Sequence, residues 1–306
     1  MKIQSTGYWS FICNPAKWEI DKFLETNIEY DTYQISDWQK EFFHIGQLGI
    51  IRVGFDKRNT KLLKERKKLL PGIYAIVQVL SEPDYRVEKP DKFWVNWTEK
   101  ELNKPIVKIR YLKNLLNSPL LFKDIKNDAF IRSDKYLLNG FQASSIPLKK
   151  ETFDRIIELI GNSDQIFENV ESENTFSISE ITKLEQKYKD ASPQVKEVIS
   201  KRIERGNISK ELKKINNYKC QVCELLGLNP LSFQKINKEY YIETHHVIPV
   251  SKLEEGSLGF GNLITICANH HRQMHYGNVE LLENINQYLR FRIDSKEITI
   301  QKKLKK

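Results

Sequence analysis

The chain has 306 residues, 40% of them hydrophobic and 29% charged, with a formal net charge of +9. That length allows two domains with cores of their own, in an ordinary globular protein. The longest apolar runs, such as GIYAIVQVL from Gly72, are too short to span a bilayer, and no membrane role is expected. The first residues lack the basic-then-apolar pattern of a signal peptide.

Residues 1–160 read mostly as strands. GYWSFIC from Gly7, GQLGIIRVGF from Gly46, GIYAIVQVLS from Gly72 and PIVKIRYL from Pro105 are short, β-branched and aromatic, with Gly and Pro between them. Two helices interrupt them. NTKLLKERKKLL starts at an N-cap Asn59 and stops before Pro71; LKKETFDRIIELIG from Leu148 carries Phe153, Ile156, Ile157 and Ile160 on one stripe and ends at Gly161. This pattern suggests a small β-barrel-like domain. It holds all five tryptophans, Trp9, Trp18, Trp38, Trp94 and Trp97. Most should fill the barrel, but an aromatic pocket is also what a flipped-out base requires. Cys13 and His44 are expected to be structural.

The order YWSFICNPAKW, FHIGQLGIIRVG, LPGIYAIVQVLSEP and GFQASSIPLKKETFDRIIELI resembles an EVE domain of the PUA-like superfamily. The resemblance implies a reader of modified bases that flips the base into an aromatic pocket. Trp18, Asn14 and Trp38 are the foremost candidates for that pocket, with Ser10 a further one. The chain has Gly46-Gln47 where many EVE domains carry Gly-Asp.

NSDQIFENVESENTFS, residues 162–177, lacks apolar periodicity and reads as a linker. Helical patterns follow in ISEITKLEQKYKD, PQVKEVISKRIERG and NISKELKKINNYK. From Lys196 to Lys219, eight Lys or Arg face three acids, a net +5. From residue 178 onward there are 22 basic and 15 acidic residues, a net +7. This stretch is either a solvated helix surface or a clamp for a polyanion such as nucleic acid.

Five of the six histidines and three of the four cysteines fall between Cys220 and His275. Cys220 and Cys223 form a Cys-x-x-Cys pair; Cys267 and His270 are again three apart. Together they make a closed three-thiolate, one-imidazole set, the donor chemistry of a structural Zn2+ site. Metal rather than disulfide spacing fits a reducing, cytoplasmic setting. His271 and His275 are four apart, hence on one face of a helix. His245 and His246 follow a β-branched run, and neighbours on a strand point to opposite sides. One of them can therefore join His271 and His275 around a divalent ion with open positions, leaving the other imidazole free to take a proton.

ETHHVIP followed by GFGNLITICANHHRQMH is similar to an HNH nuclease of the ββα-metal type. Carried over, the resemblance makes His245, His271 and His275 ligands of a catalytic Mg2+, Mn2+, Co2+ or Ni2+. It makes His246 the general base and Asn262 the loop residue that supports it. The common family form has Cys at the position of His270. Glu243 is a candidate partner for a ligand, and Arg272 is expected at the surface.

The expected class is α+β. A PUA-like β-barrel of EVE type spans 1–161, a linker with basic helices 162–216, and a zinc-braced ββα-metal HNH domain with a C-terminal hairpin 217–306. The architecture resembles EVE–HNH restriction enzymes. It implies an endonuclease that reads a modified base in double-stranded DNA, such as a 5-substituted cytosine, and leaves 5′-phosphate and 3′-hydroxyl ends. Cutting both strands needs two sites, so a homodimer is expected. The alternatives are a non-catalytic zinc-braced regulator and a nuclease for modified RNA.

Overall fold

The computed structural model describes residues 6–87, 91–95, 97–139, 143–161, 166–167, 170, 181–236, 238–248 and 257–302. They divide into two compact units. One lies within 1–171 together with 190–195, the other within 172–189 and 196–306. The expected linker 162–177 lies outside the described residues apart from 166, 167 and 170, as does most of the Lys-rich C-terminus.

The first unit is built on β1 (Tyr8–Cys13), β2 (Tyr30–Gln34), β3 (Leu48–Val53), β4 (Gly72–Val79), β5 (Asp84–Tyr85), β6 (Pro105–Asn114), β7 (Leu120–Leu121) and β8 (Ser145–Pro147). They form one sheet in the order β2-β6-β4-β3-β1-β8, with β5 beside β6 and β7 beside β4. β1 runs parallel to β3; the other pairings are antiparallel. The sheet curls into a half-barrel. Its first edge returns toward its last through Tyr33, whose hydroxyl lies 2.9 Å from Ile12 O and 2.5 Å from Ser144 O. The helices are α1 (Ile20–Glu25), α2 (Thr60–Leu63), α3 (Phe122–Ile125), α4 (Ala129–Ser133), α5 (Lys135–Asn139) and α6 (Lys150–Ile160).

Alternation along β1 sorts its residues. Trp9, Phe11 and Cys13 enter the half-barrel core with Phe23, Phe43, Val77 and Val107. Tyr8, on the other face, packs on Phe153 of α6. Gly49 is required where β1 and β3 meet: a Cβ there would sit 2.6 Å from Phe11 Cε2 and 2.7 Å from Trp9 O. Gln47 is fully buried and accepts from Trp9 Nε1 at 2.7 Å and from the His44 backbone at 3.1 Å. At this position an amide serves as a core hydrogen-bond hub. Cys13 is buried, and His44 pairs with Glu82 at 3.1 Å, both in keeping with structural roles.

The helix expected from Asn59 to Pro71 lasts a single turn. Asn59 does cap it, accepting from Leu62 N at 3.0 Å, but Lys64 adopts φ 55° and ends it. The remainder follows other bonds: Arg66 pairs with Glu25, and the Leu69 amide donates to Asp56. α6 forms as read, and Gly161 ends it at φ 74°.

The second unit contains α7 (Ile181–Tyr188), most of α8 (Pro193–Arg205), α9 (Asn207–Ile215), α10 (Gln221–Leu225), β9 (Glu243–His246), β10 (Leu263–Ile266), α11 (Ala268–Tyr276), and β11 (Val279–Asn284), β12 (Tyr288–Ile293) and β13 (Lys296–Gln301). β9 and β10 are an antiparallel pair with α11 directly behind them in the chain, a ββα arrangement. The C-terminal hairpin turns at Asp294, φ 52°, and gains a third strand, β11. Cys220, Val222, Ile264, Ile266, Leu289, Phe291 and Ile298 share one core. The basic helices belong to this unit through buried polar links: Ser209 to Thr244 at 2.7 Å and Asn216 to Thr265 at 3.1 Å.

Candidate metal centres and base

Two groups of side chains converge in the second unit. Cys220, Cys223, Cys267 and His270 place their ligand atoms within 4.8 Å of one another. The His270 Nδ1 lies 3.4 Å from Cys220 Sγ and 3.3 Å from both Cys223 Sγ and Cys267 Sγ; the last two sulfurs are 3.9 Å apart. A tetrahedral zinc with bonds of about 2.3 Å to sulfur and about 2.0 Å to nitrogen has edges of about 3.8 and 3.5 Å. The donor set and its spacing both fit that ion. Cys220 caps α10, with the Cys223 amide pointing at its sulfur at 3.3 Å. Burial, then the neighbouring thiol of Cys220, pushes the Cys223 thiol well above its ordinary range. Three clustered thiols, two of them buried, favour a cation that removes their protons.

The second group is His245, His271 and His275, also within 4.8 Å. The Nε2 atoms of His271 and His275 are 3.2 Å apart, the edge expected of two imidazoles about 2.1 Å from one ion. His245 lies on buried β9, and its ring meets those of His271 and His275 at 5.0 and 4.8 Å between centroids. Burial, then the two neighbouring imidazoles, holds His245 down at about 3. It is therefore neutral and a ready ligand. Glu243 fixes the orientation of His271: one carboxylate oxygen accepts from His271 Nδ1, the other from the Tyr241 hydroxyl. The Nε2 lone pair of His271 is thereby turned toward the group. Burial would push Glu243 up, but these bonds hold it below the usual carboxylate range.

His246, next along β9, points away to a different set of partners. Its side chain is 3% exposed. Nδ1 lies 2.8 Å from Glu204 Oε1 and 2.9 Å from Ser200 Oγ, and the His246 backbone N–H donates to the same Glu204 oxygen at 3.2 Å. Nε2 is buried and has no hydrogen-bond partner among the described residues. The Asn262 side chain makes no hydrogen bond to the His246 ring among the described residues. Its side chain accepts from Ile248 N at 2.8 Å and donates to Ile248 O at 3.0 Å and Ser257 O at 2.7 Å. It braces the chain just beyond the histidine pair. Arg272 is exposed.

Of the candidate base-pocket residues, Trp18 is half-buried against Phe23 and Phe93, at 5.0 and 6.5 Å, with Nε1 on Asp91 at 3.2 Å. Asn14 is exposed in the adjoining turn, where its carbonyl accepts from Trp18 N. Trp38 is 45% exposed and meets Phe42 at 6.4 Å. Ser10 is fully buried and alternates with Trp9 and Phe11 along β1, so it lies on the strand face opposite to the core that Trp18 joins. The structure therefore joins Trp18 and Asn14 in one turn and brings neither Trp38 nor Ser10 to them through a ring contact or hydrogen bond among the described residues. Asp31 is the residue that sequence reasoning passed over here. Burial and then Asp91 push it up to about 8, and Asp91 is the acceptor for Trp18.

Glu204 and Ser200 were equally hidden in sequence. They are four apart on α8, beside the buried pair Ile199 and Ile203, and that helical spacing is the one signal for them. Within a basic stretch, an acid otherwise reads as solvated charge.

A half-barrel with an α6 layer, and a ββα unit with one Cys3His group and one three-histidine group that could each hold a metal ion, define a two-part protein. The EVE domain family model matches residues 7–159, half of the chain, and the protein belongs to that family. The HNH endonuclease model matches residues 220–277, so the second unit carries an HNH endonuclease domain. No curated protein matches the chain. Similar solved chains include a Pseudomonas putida protein, 14% identical over 50% of this chain and 98% of its own, TM-score 0.34. A hypothetical protein from Leishmania major is 11% identical over 52% and 94%, TM-score 0.33. Human THYN1, in a complex with DNA containing 5-methylcytosine, is 13% identical over 50% and 96%, TM-score 0.34. No described helix is long and apolar enough to cross a membrane.

Proposed function

We propose that this protein is a modification-dependent DNA endonuclease. Its EVE domain reads a modified base, of the 5-substituted cytosine kind, after the base leaves the stack, and its HNH domain hydrolyses a nearby phosphodiester. The observation that carries the reading is the convergence of His245, His271 and His275, next in the chain to a histidine whose buried Nε2 has no hydrogen-bond partner among the described residues. A divalent ion of the Mg2+, Mn2+, Co2+ or Ni2+ kind, held by those three imidazoles, would supply a Lewis acid for the scissile phosphate and the leaving 3′ oxygen. His246 takes the proton of the attacking water through Nε2. Asn262 supports the base by holding the backbone that follows it. Glu243 keeps His271 in the tautomer that can ligate. Cys220, Cys223, Cys267 and His270 would hold a structural Zn2+, which would tie α10 to the start of α11. The basic helices contact phosphates, and a homodimer cuts both strands in defence against modified foreign DNA.

The test compares wild type and His246→Ala on plasmid with and without 5-methylcytosine. Wild type should cut the modified plasmid, and the variant should lose at least about 100-fold in rate. Undiminished cleavage by the variant sinks the mechanism. Cleavage of matched modified RNA in preference to DNA reassigns the substrate.

A further inference from the structure

We propose that Glu204, with Ser200 beside it, is a positioning residue that fixes the ring and tautomer of His246; the inference rests on His246 being the base.

The argument begins with hydrogen-bond inventory. Glu204 Oε1 lies 2.8 Å from His246 Nδ1. A carboxylate only accepts, so Nδ1 must carry the hydrogen. With Nδ1 protonated, Nε2 holds the lone pair. Nε2 is also the ring atom that is buried without a hydrogen-bond partner among the described residues. Ser200 Oγ, 2.9 Å away, accepts a share of the same N–H. Were Nδ1 the bare nitrogen, its lone pair would face a carboxylate oxygen at contact distance inside a buried site, a costly arrangement.

The anchoring is two-point. The same Glu204 oxygen accepts the backbone N–H of His246 at 3.2 Å. One atom therefore ties both the strand position and the ring, and rotation about χ1 or χ2 breaks a bond. Ser200 and Glu204 lie on one face of α8, one turn apart, and that face is set by buried Ile199 and Ile203. Asn262 braces the chain after the histidine, whereas Glu204 acts on the ring itself. The arrangement follows the general logic of an acid that orients a histidine base without taking its proton.

The backbone bond also predicts how substitutions behave. In Glu204→Gln, the N–H of His246 demands an acceptor, so the amide oxygen takes the place of Oε1 and still meets Nδ1–H. In Glu204→Ala both bonds are lost.

The experiment uses full-length protein in single-turnover cleavage of modified plasmid, with DNA affinity measured separately. A parallel readout is the long-range 1H–15N correlation of 15N-histidine-labelled protein, in which His246→Ala identifies the His246 signals by their loss. Wild type should show His246 as the Nδ1–H form, and Glu204→Ala a mixture or the other form. Glu204→Ala should lower the cleavage rate about 10- to 100-fold with DNA affinity and zinc content within about threefold of wild type. Glu204→Gln should restore most of the rate. An Nε2–H form in wild type, or a wild-type rate for Glu204→Ala alongside an inactive His246→Ala, overturns the positioning role alone. A normal rate for His246→Ala overturns the base assignment instead, and the spectrum still decides the tautomer. Equal loss in the Gln and Ala variants, both with wild-type melting, also counts against positioning by a neutral acceptor.

Discussion

His270 and His271 are consecutive on α11, yet their rings serve different groups. The Nδ1 of His270 lies 3.3 to 3.4 Å from three sulfurs. The Nδ1 of His271 is bound by Glu243, and its Nε2 sits 3.2 Å from that of His275. One helical step of about 100° separates a closed site from an open one.

This division predicts separable losses. Cys267→Ser should lower bound zinc below about half a mole per mole and lower the melting temperature by roughly 5 °C or more. His270→Cys should keep the zinc, since four thiolates also close a tetrahedron. His271→Ala should keep zinc and melting but lose cleavage. Metal analysis with thermal melting checks all three; equal zinc loss in His271→Ala would show that the two groups are one.

Glu243 acts through His271. Glu243→Ala should raise the divalent-ion concentration needed for half-maximal cleavage by about 10- to 100-fold, and excess metal should recover much of the rate. A titration of Mn2+ against cleavage rate measures this. A drop that metal leaves unchanged would mean that Glu243 does something other than orient the ligand.

Much of the C-terminal site was legible because ligand spacing is local. Cys-x-x-Cys, Cys-x-x-His and His-x-x-x-His each place two donors within one turn, so the pattern survives without knowledge of the fold. Glu204 lies 42 residues before His246, and only tertiary packing joins them. The helix at Asn59 was overread because its start was right while Lys64, at φ 55°, turned the chain toward bonds with Glu25 and Asp56. β2 was missed because YDTYQ is polar; its place in the half-barrel comes from pairing with β6. β11 is likewise carried by β12.

Close packing of β1 on β3 makes Gly49→Ala a sensitive probe of the half-barrel. The added methyl meets Phe11 Cε2 at 2.6 Å and Trp9 O at 2.7 Å, and backbone cannot yield cheaply. A cost of about 1–3 kcal/mol is expected in chemical denaturation. A stability unchanged within error would show that the two strands are looser than they stand here.

The EVE unit should also carry its own pH dependence. Asp31 is pushed up to about 8 by burial and by Asp91, from about 3.9 in the unfolded chain. The folded form thus binds the extra proton. This contribution to stability is complete below about pH 4 and is lost as pH rises through about 8. Asp31→Asn keeps the acceptor for Thr32 N and cannot ionise. Its melting temperature should fall less than that of wild type between pH 5 and pH 9, ending roughly 5 °C higher; parallel slopes would remove Asp31 from the explanation.

The most direct measurement is a digestion panel with full-length protein on one plasmid prepared unmodified, with 5-methylcytosine and with other 5-substituted cytosines, in Mg2+, Mn2+, Co2+ or Ni2+. A reader joined to an HNH site predicts metal-dependent double-strand cleavage of modified plasmid, with the unmodified plasmid left intact. Equal cleavage of modified and unmodified DNA, or none of either with any of the four metals, would contradict it.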